Sequence, residues 1–257
     1  MLAFAEDPST FVQAAPDEER IITDGAVVTF APGGHYWSTT VARVRFGAGN
    51  VVSELDHVRS LMRSRGRGAA AWSIGPSATP ADVVFELAAL GLERESAAGS
   101  SILLLTHKPE VAPAGFEIRR VRTFEDHLAA IEVANEGFGL APEDADDDLR
   151  RARDTFEIER RGQHTARLLA LDGGRPIATG RARFAPQGVE LGGGATIPSY
   201  RRRGAMSSLV GAAWVEAVRN GTPALVSFGG DMSASALQRM GFRKVGRIDH
   251  LIDRFEE

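Results

Sequence analysis

Three consecutive arginines, Arg201-Arg202-Arg203, stand before Gly204 and a segment with Met206, Leu209, Val210, Ala213, Trp214, Ala217 and Val218 at helical spacing. This order puts cations and a glycine at a helix N-terminus. Free backbone N–H groups and the positive end of the helix dipole point the same way there. The chemistry such a site supports is anion binding, phosphate above all. Gly204 lets the backbone approach an anion with no Cβ in the way. A solvated arginine run before an ordinary helix is the plain alternative, and charge alone does not choose between them.

The elements that must position this segment can be read from hydrophobic period and turn residues. Strands are expected at Ala26–Ala31, Thr40–Phe46, Ala69–Ile74 and Ser101–Thr106, and helices at Val51–Ser64 and Pro80–Leu90. Lys108 to Gly115 holds two prolines and a glycine and reads as a linker. A second series follows, with strands at Phe116–Val121, Ala166–Leu171, Ile177–Phe184, Val189–Thr196, Ala224–Phe228 and Gly246–Ile252. Its helices are expected at Phe124–Phe138, Pro142–Ile158, Gly204–Asn220 and Ser233–Met240. This mixed order predicts an α/β (α+β) fold.

The 257 residues allow one or two domains. An internal echo favours two related ones. Trp72-Ser73-Ile74 leads to a helix ending Leu90-Gly91-Leu92, and Val226-Ser227-Phe228 leads to one ending Met240-Gly241-Phe242. The boundary is expected near residue 110, giving units of 1–110 and 111–257. Hydrophobic residues make up 43% and the net charge is -4, which excludes a generally basic nucleic-acid binder. There is no cysteine, so disulfides, thiolate metal sites and cysteine nucleophiles are excluded. No apolar run is long enough for a membrane span, and a cytoplasmic protein is the default expectation.

The segment Pro198-Ser199-Tyr200-Arg201-Arg202-Arg203-Gly204-Ala205, after a strand, resembles the coenzyme-A loop of the GNAT superfamily of N-acyltransferases. Arg239-Met240-Gly241-Phe242 is similar to that family's R-L-G-F ending. The resemblance spans about Phe116 to Asp253, and the N-terminal half looks like a second, degenerate copy, as in tandem members. It implies a GNAT fold, with a central mixed, mostly antiparallel sheet flanked by helices. It also implies acetyl-CoA as co-substrate, lying beside the strand that ends at Thr196. By position, the Gly194 N–H would bond the thioester carbonyl, Ala195 would continue that strand, and the Thr196 N–H would bond the pantetheine. The N–H groups of Arg202, Arg203, Gly204, Ala205, Met206 and Ser207 would hold the pyrophosphate, helped by arginine side chains. Gly192, Gly193 and Gly194 fit a strand that bulges or admits a ligand closely.

The resemblance also suggests a base. Glu190 lies eleven residues before Arg201, where some GNAT members carry a catalytic glutamate. Partial burial would tune its carboxyl for proton transfer. The alternatives are a solvent-facing glutamate, or Asp231 as the base. The sequence departs from the family pattern at Met206 in place of a small residue and at Leu237 in place of a thiolate-protonating tyrosine. The Gly230-Asp231 turn stands in place of an asparagine. Expelling a thiolate of pKa ~8.5 at pH 7 costs about 2 kcal/mol, against about 4.6 kcal/mol to deprotonate an amine of pKa ~10.4. The base is the larger requirement.

The expected activity is therefore transfer of an acetyl or acyl group to a primary amine of a small molecule or peptide by direct attack. A non-catalytic acyl-CoA-binding protein is the alternative. Other signals read as structural. Arg65-Gly66-Arg67-Gly68 follows a helix and precedes a strand, the wrong order for a phosphate cradle. The first half's own loop, Phe46 to Asn50, has no arginine, so one acyl-CoA site is expected. Glu143, Asp144, Asp146, Asp147 and Asp148 suit a helix's first turn and i,i+4 pairing with Arg150 and Arg151; an amine-attracting rim is the other reading. His35-Tyr36-Trp37 reads as interdomain packing or part of an acceptor pocket. The histidines show no metal-ligand spacing, and no metal, nucleic-acid or membrane partner is expected.

Overall fold

Val51, Leu55, Val58 and Met62 recur at helical spacing, and all four are buried, so their helix is held by one apolar face. The protein is described here by a computed structural model covering residues 1–96, 99–111, 115–162 and 164–255. Its first half runs α1 (Leu2–Glu6), β1 (Glu19–Ile22), β2 (Val27–Phe30), β3 (Thr39–Ala42), α2 (Val51–Arg63), β4 (Ala69–Ile74), α3 (Val83–Ala89), β5 (Glu93–Arg94) and β6 (Ser100–Leu105). The second half opens with β7 (Glu117–Arg120), α4 (Phe124–Phe138), α5 (Pro142–Arg150), α6 (Ala152–Arg161) and β8 (Thr165–Asp172). It continues with β9 (Arg175–Ala185), β10 (Gly188–Thr196), α7 (Ala205–Arg219), β11 (Leu225–Gly229), α8 (Asp231–Gln238) and β12 (Arg243–Arg254).

One mixed sheet runs through both halves in the order β1-β2-β3-β4-β12-β6-β11-β10-β9-β8-β7, with β5 also on β12. The pairs are antiparallel except β3 with β4 and β10 with β11. The two halves exchange strands. β6 leaves the first half and inserts between β11 and β12. The end of β12, Asp249–Arg254, crosses back to pair with β4. Side chains follow the exchange. Leu103 and Leu105 of β6 pack under α7 and α8 with Val210, Trp214 and Leu237. Leu251 of β12 packs around Trp72 in the first half. Phe4, Val12, Ile102, Leu104, Val226 and Ile248 form a further core at the join. Fully burying each such side chain contributes roughly 1.5–3 kcal/mol, so neither sheet is complete without the other half's strand.

The internal echo has a geometric counterpart. β4 and β11 each pair in parallel with the strand preceding a helix, and antiparallel with the exchanged strand. α4 begins at Thr123, whose side chain accepts from the Asp126 N–H, and stops at left-handed Gly139.

Several expectations are corrected. The strand expected over Thr40–Phe46 ends at Ala42, because Arg43 takes a left-handed backbone with φ 53°. The single helix expected over Pro142–Ile158 divides at Arg151: α5 buries nothing, whereas α6 is anchored by buried Ala152. Val218 is 51% exposed instead of joining the apolar face of α7. α1 and β1, of five and four residues, are too short for a period to show in the sequence. Within the expected linker, residues 112–114 lie outside the described residues.

Candidate functional site

β10 and β11 run together only over Val189–Leu191 and Leu225–Ser227. Beyond that point they part. β10 stays on β9, with a register shift between Gly192 and Ala195. Gly193 sits there at φ 60°, a conformation that costs an L side chain roughly 1–2 kcal/mol. The glycine run is therefore what lets β10 turn away. Its edge towards β11 is left with backbone groups that no strand takes up. A cavity of about 370 Å³ fills the split, walled by Gly192–Gly194, by Met206 and Val210 of α7, and by Leu237 of α8.

The cavity leads towards the start of α7. Gly204 is left-handed at φ 90° and caps that helix, and Arg202, two residues earlier, is left-handed too, at φ 61°. Among the described residues, the N–H groups of Ala205, Met206 and Ser207 have no hydrogen-bond acceptor. The Ser207 hydroxyl donates to the Gly204 carbonyl. The three arginines are not equivalent. Arg201 donates to the Gly137 carbonyl at 2.7 Å and to the Thr196 carbonyl at 3.3 Å, tying α4 to the end of β10. Arg203 lies 4.4 Å over the Tyr200 ring and 3.9 Å from Asp172. The Arg202 side chain makes no ion pair or hydrogen bond among the described residues. Two arginines thus remain for an anion, and one is structural.

Met206 turns inward. Its thioether lies against Gly194, where a Cβ would meet the sulfur and terminal methyl at 3.3 and 3.2 Å. It therefore shapes the split and stays out of the helix-start cradle. On the other side, Gly137 allows α4 to touch Ala195 and Thr196: a Cβ there would stand 2.9 Å from the Ala195 Cβ and 3.2 Å from the Thr196 nitrogen. Leu237 is buried and lines the same cavity, so an apolar group occupies the expected place of the thiolate acid.

Side chains alternate along β10. Val189 packs towards α7, and Glu190 points to the opposite face. A second cavity of about 360 Å³ lies there, between the halves, lined by Glu190, Arg181, Arg183, Arg43, His250 and Trp37 among others. Glu190 Oε2 is 2.5 Å from Arg183 Nη2, yet that oxygen is buried without a directional hydrogen bond. His250 donates to or accepts from the Ser100 hydroxyl at 2.9 Å, and burial lowers its pKa. Arg181 lines this cavity and also the one in the split. The two faces of the sheet therefore meet beside the parted strands.

Other candidates fall away from these cavities. Asp231 is exposed at the start of α8 and lines neither. The α5 acids also line neither. Asp147 binds both Arg150 and Arg151 at 3.1 Å, so Arg150 pairs at i,i+3 with Asp147 where Asp146 was expected. Trp37, 52% exposed and stacked on His35, rims the cavity between the halves. Arg65 and Gly66 end α2, as expected of that turn. Sequence reading missed Arg181 and Arg43. The available signal was Arg181 and Arg183 at period two in an otherwise apolar strand, which forces both onto one face.

Residues 120–242 match the family model described as Acetyltransferase (GNAT) family. No curated protein matches the chain. Among solved structures it is similar to a GCN5-related N-acetyltransferase from Kribbella flavida, at 19% identity and a TM-score of 0.70, covering 92% of this chain and 90% of that one. It is also similar to a tandem GNAT protein from the clavulanic acid biosynthesis pathway, at 14% identity and TM-score 0.63, covering 95% and 85%. A GCN5-related N-acetyltransferase from Sphaerobacter thermophilus aligns at 15% identity and TM-score 0.61, covering 92% and 82%. At these identities the likeness is one of fold. Through residues 120–242 the chain is a member of the acetyltransferase (GNAT) family, and as a whole it has the GNAT fold.

Proposed function

We propose that the protein transfers an acetyl or other acyl group from acyl-CoA to a primary amine by direct attack. The observation that carries this reading is the parting of β10 from β11 beside the unpaired N–H groups at the start of α7. In this reading the pyrophosphate lies on the N–H groups of residues 202–207, with Arg202 and Arg203 beside it. The pantetheine lies along the open edge of β10, where Thr196 donates. The Gly194 N–H polarises the thioester carbonyl and stabilises the oxyanion.

The neutral amine nitrogen forms the new C–N bond, and the C–S electron pair leaves as thiolate. Glu190, on the opposite face of β10, takes the amine proton directly or through water. The thiolate takes a proton from solvent, and its pKa of ~8.5 keeps that expulsion to about 2 kcal/mol at pH 7. We further take residues 1–110 as a degenerate copy of the competent unit, 111–257. The left-handed Gly49 before α2 parallels Gly204 before α7 but lacks the arginines.

The test is incubation with acetyl-CoA and a broad panel of primary amines, read by free thiol and by the mass of the product. A second reading, a non-catalytic acyl-CoA-binding protein, is favoured by one observation: buried Leu237 takes the place of the thiolate acid, and among the described residues no carboxyl, imidazole or phenol lines that cavity. Tight acyl-CoA binding with no amine-dependent thiol release would select it.

A further inference from the structure

Three arginines and two carboxylates share one face of the second half's sheet. Arg167 on β8 stands opposite Arg181 on β9, and Arg183 on β9 stands opposite Glu190 on β10. Arg167 is paired bidentately with Glu159, and Arg183 makes a single ion-pair contact with Glu190. Arg181, between them, has no ion-pair or hydrogen-bond partner among the described residues. It is half-buried and lines the cavity between the halves. Desolvation, and then the charges of Arg183 and Arg167, push its pKa down; Glu159 and Glu190 oppose this without contact.

Withdrawing an unpaired guanidinium even partly from water is costly, and such groups are normally paired. The acids around the cavity are already engaged. Glu6 accepts from the Ser77 hydroxyl, Asp7 from the Ser9 and Thr10 hydroxyls, and Glu18 from the Ala15 N–H. Arg43 faces the same space from the first half, also without a partner among the described residues, on a left-handed backbone. Strain of this kind persists where the surroundings impose it and collects at ligand sites.

We propose that the acceptor carries an anionic group, a carboxylate or phosphate, which Arg181 and Arg43 bind in the cavity between the halves while its amine faces Glu190. This rests on the acyltransferase reading above and adds the substrate class. Arg181 is opposite Gly192, two residues along β10 from Glu190, so the two side chains rise from neighbouring positions of one face. A short molecule such as an amino acid can reach both.

The experiment compares kcat/KM for free amino acids, their carboxamides, their decarboxylated amines and aminoalkyl phosphates, in the wild type, Arg181→Gln and Arg181→Lys. The expected result is a preference of about 10- to 100-fold for the anionic forms, the scale of a charge-assisted hydrogen bond. It should appear in KM, vanish in Arg181→Gln and return in part in Arg181→Lys. The carboxylate and phosphate arms identify the anion. Equal or better turnover of the neutral analogues, or a preference unchanged in Arg181→Gln, overturns the proposal.

A binding arm separates this from failure of the acyltransferase reading. The same panel is titrated by thermal shift without turnover. Stabilisation by the anionic forms alone, lost in Arg181→Gln, supports the anion site even if no amine is acylated. No stabilisation by any anionic form, with no turnover preference, rejects it. Arg181→Gln also removes an unpaired, half-buried charge, so the free variant should melt no lower than the wild type.

Discussion

Arg183 and Glu190 stand directly opposite one another on β9 and β10, with Nη2 2.5 Å from Oε2. The pair holds Glu190 in one orientation on the face away from α7, facing the cavity between the halves. A carboxylate fixed there, one residue before the strands part, is placed to take a proton from an amine arriving from that side.

Glu190→Gln should therefore lower turnover by about 10²- to 10⁴-fold, the usual contribution of a general base, while the acetyl-CoA dissociation constant stays within a few-fold. Steady-state kinetics with calorimetry checks both. Unchanged turnover removes Glu190 from the mechanism.

The arginine triplet should separate into two behaviours. Arg203→Glu should weaken acyl-CoA binding with little change in melting temperature, because Arg203 is more than half exposed and its nearest acid is 3.9 Å away. Arg201→Ala should lower stability modestly, by about 0.5–1.5 kcal/mol, because water can replace the lost donor at the Gly137 and Thr196 carbonyls. Equal acyl-CoA affinity in Arg203→Glu would place the pyrophosphate elsewhere.

Gly137→Ala and Gly194→Ala should also differ. At Gly137 the new methyl meets Ala195 and the Thr196 backbone, neither of which can swing aside, so α4 must lift off β10. At Gly194 it meets only the flexible end of Met206. We expect the first substitution to cost at least about 1–3 kcal/mol, as overpacking does, and the second mainly to reduce acyl-CoA affinity. Chemical denaturation with ligand titration distinguishes them.

Much of this was legible in the sequence. The spacing of Val51, Leu55, Val58 and Met62 gave α2, and Gly204 after an arginine run gave the start of α7, because both signals are local. The strand exchange was not legible. The pairing of Leu103 with Ser227, or of Leu251 with Trp72, joins segments far apart in the chain, and the period of β6 or β12 does not say which partner takes it. Glu190 was recognised by its distance from Arg201, whereas Arg181 was missed. A half-buried arginine without a partner is defined by what fails to reach it, and only the three-dimensional neighbourhood reveals that.

Acid stability gives a check on the second half's packing. Burial of Glu159 opposes its ionisation, but the His127 ring 3.5 Å away and the Arg167 guanidinium outweigh it and hold its carboxyl at about 2, below the ordinary glutamate value of 4.5. The folded state thus favours the ionised form. The stabilisation is complete above the unfolded pKa and is lost as pH falls from about 4.5 through about 2. It is on the order of 3 kcal/mol. Glu159→Gln should be less stable at pH 7 and lose less stability than the wild type between pH 5 and 2. Parallel loss in both proteins across that window would contradict the assignment.

The central claim is amine acylation at the parted strands, and amine-dependent release of thiol from acetyl-CoA tests it most directly. The account predicts one equivalent of free CoA per acylated amine in the wild type. It also predicts strongly reduced release in Glu190→Gln at saturating acetyl-CoA. Saturable acetyl-CoA binding with no amine-dependent release, across anionic and neutral amines alike, would contradict it.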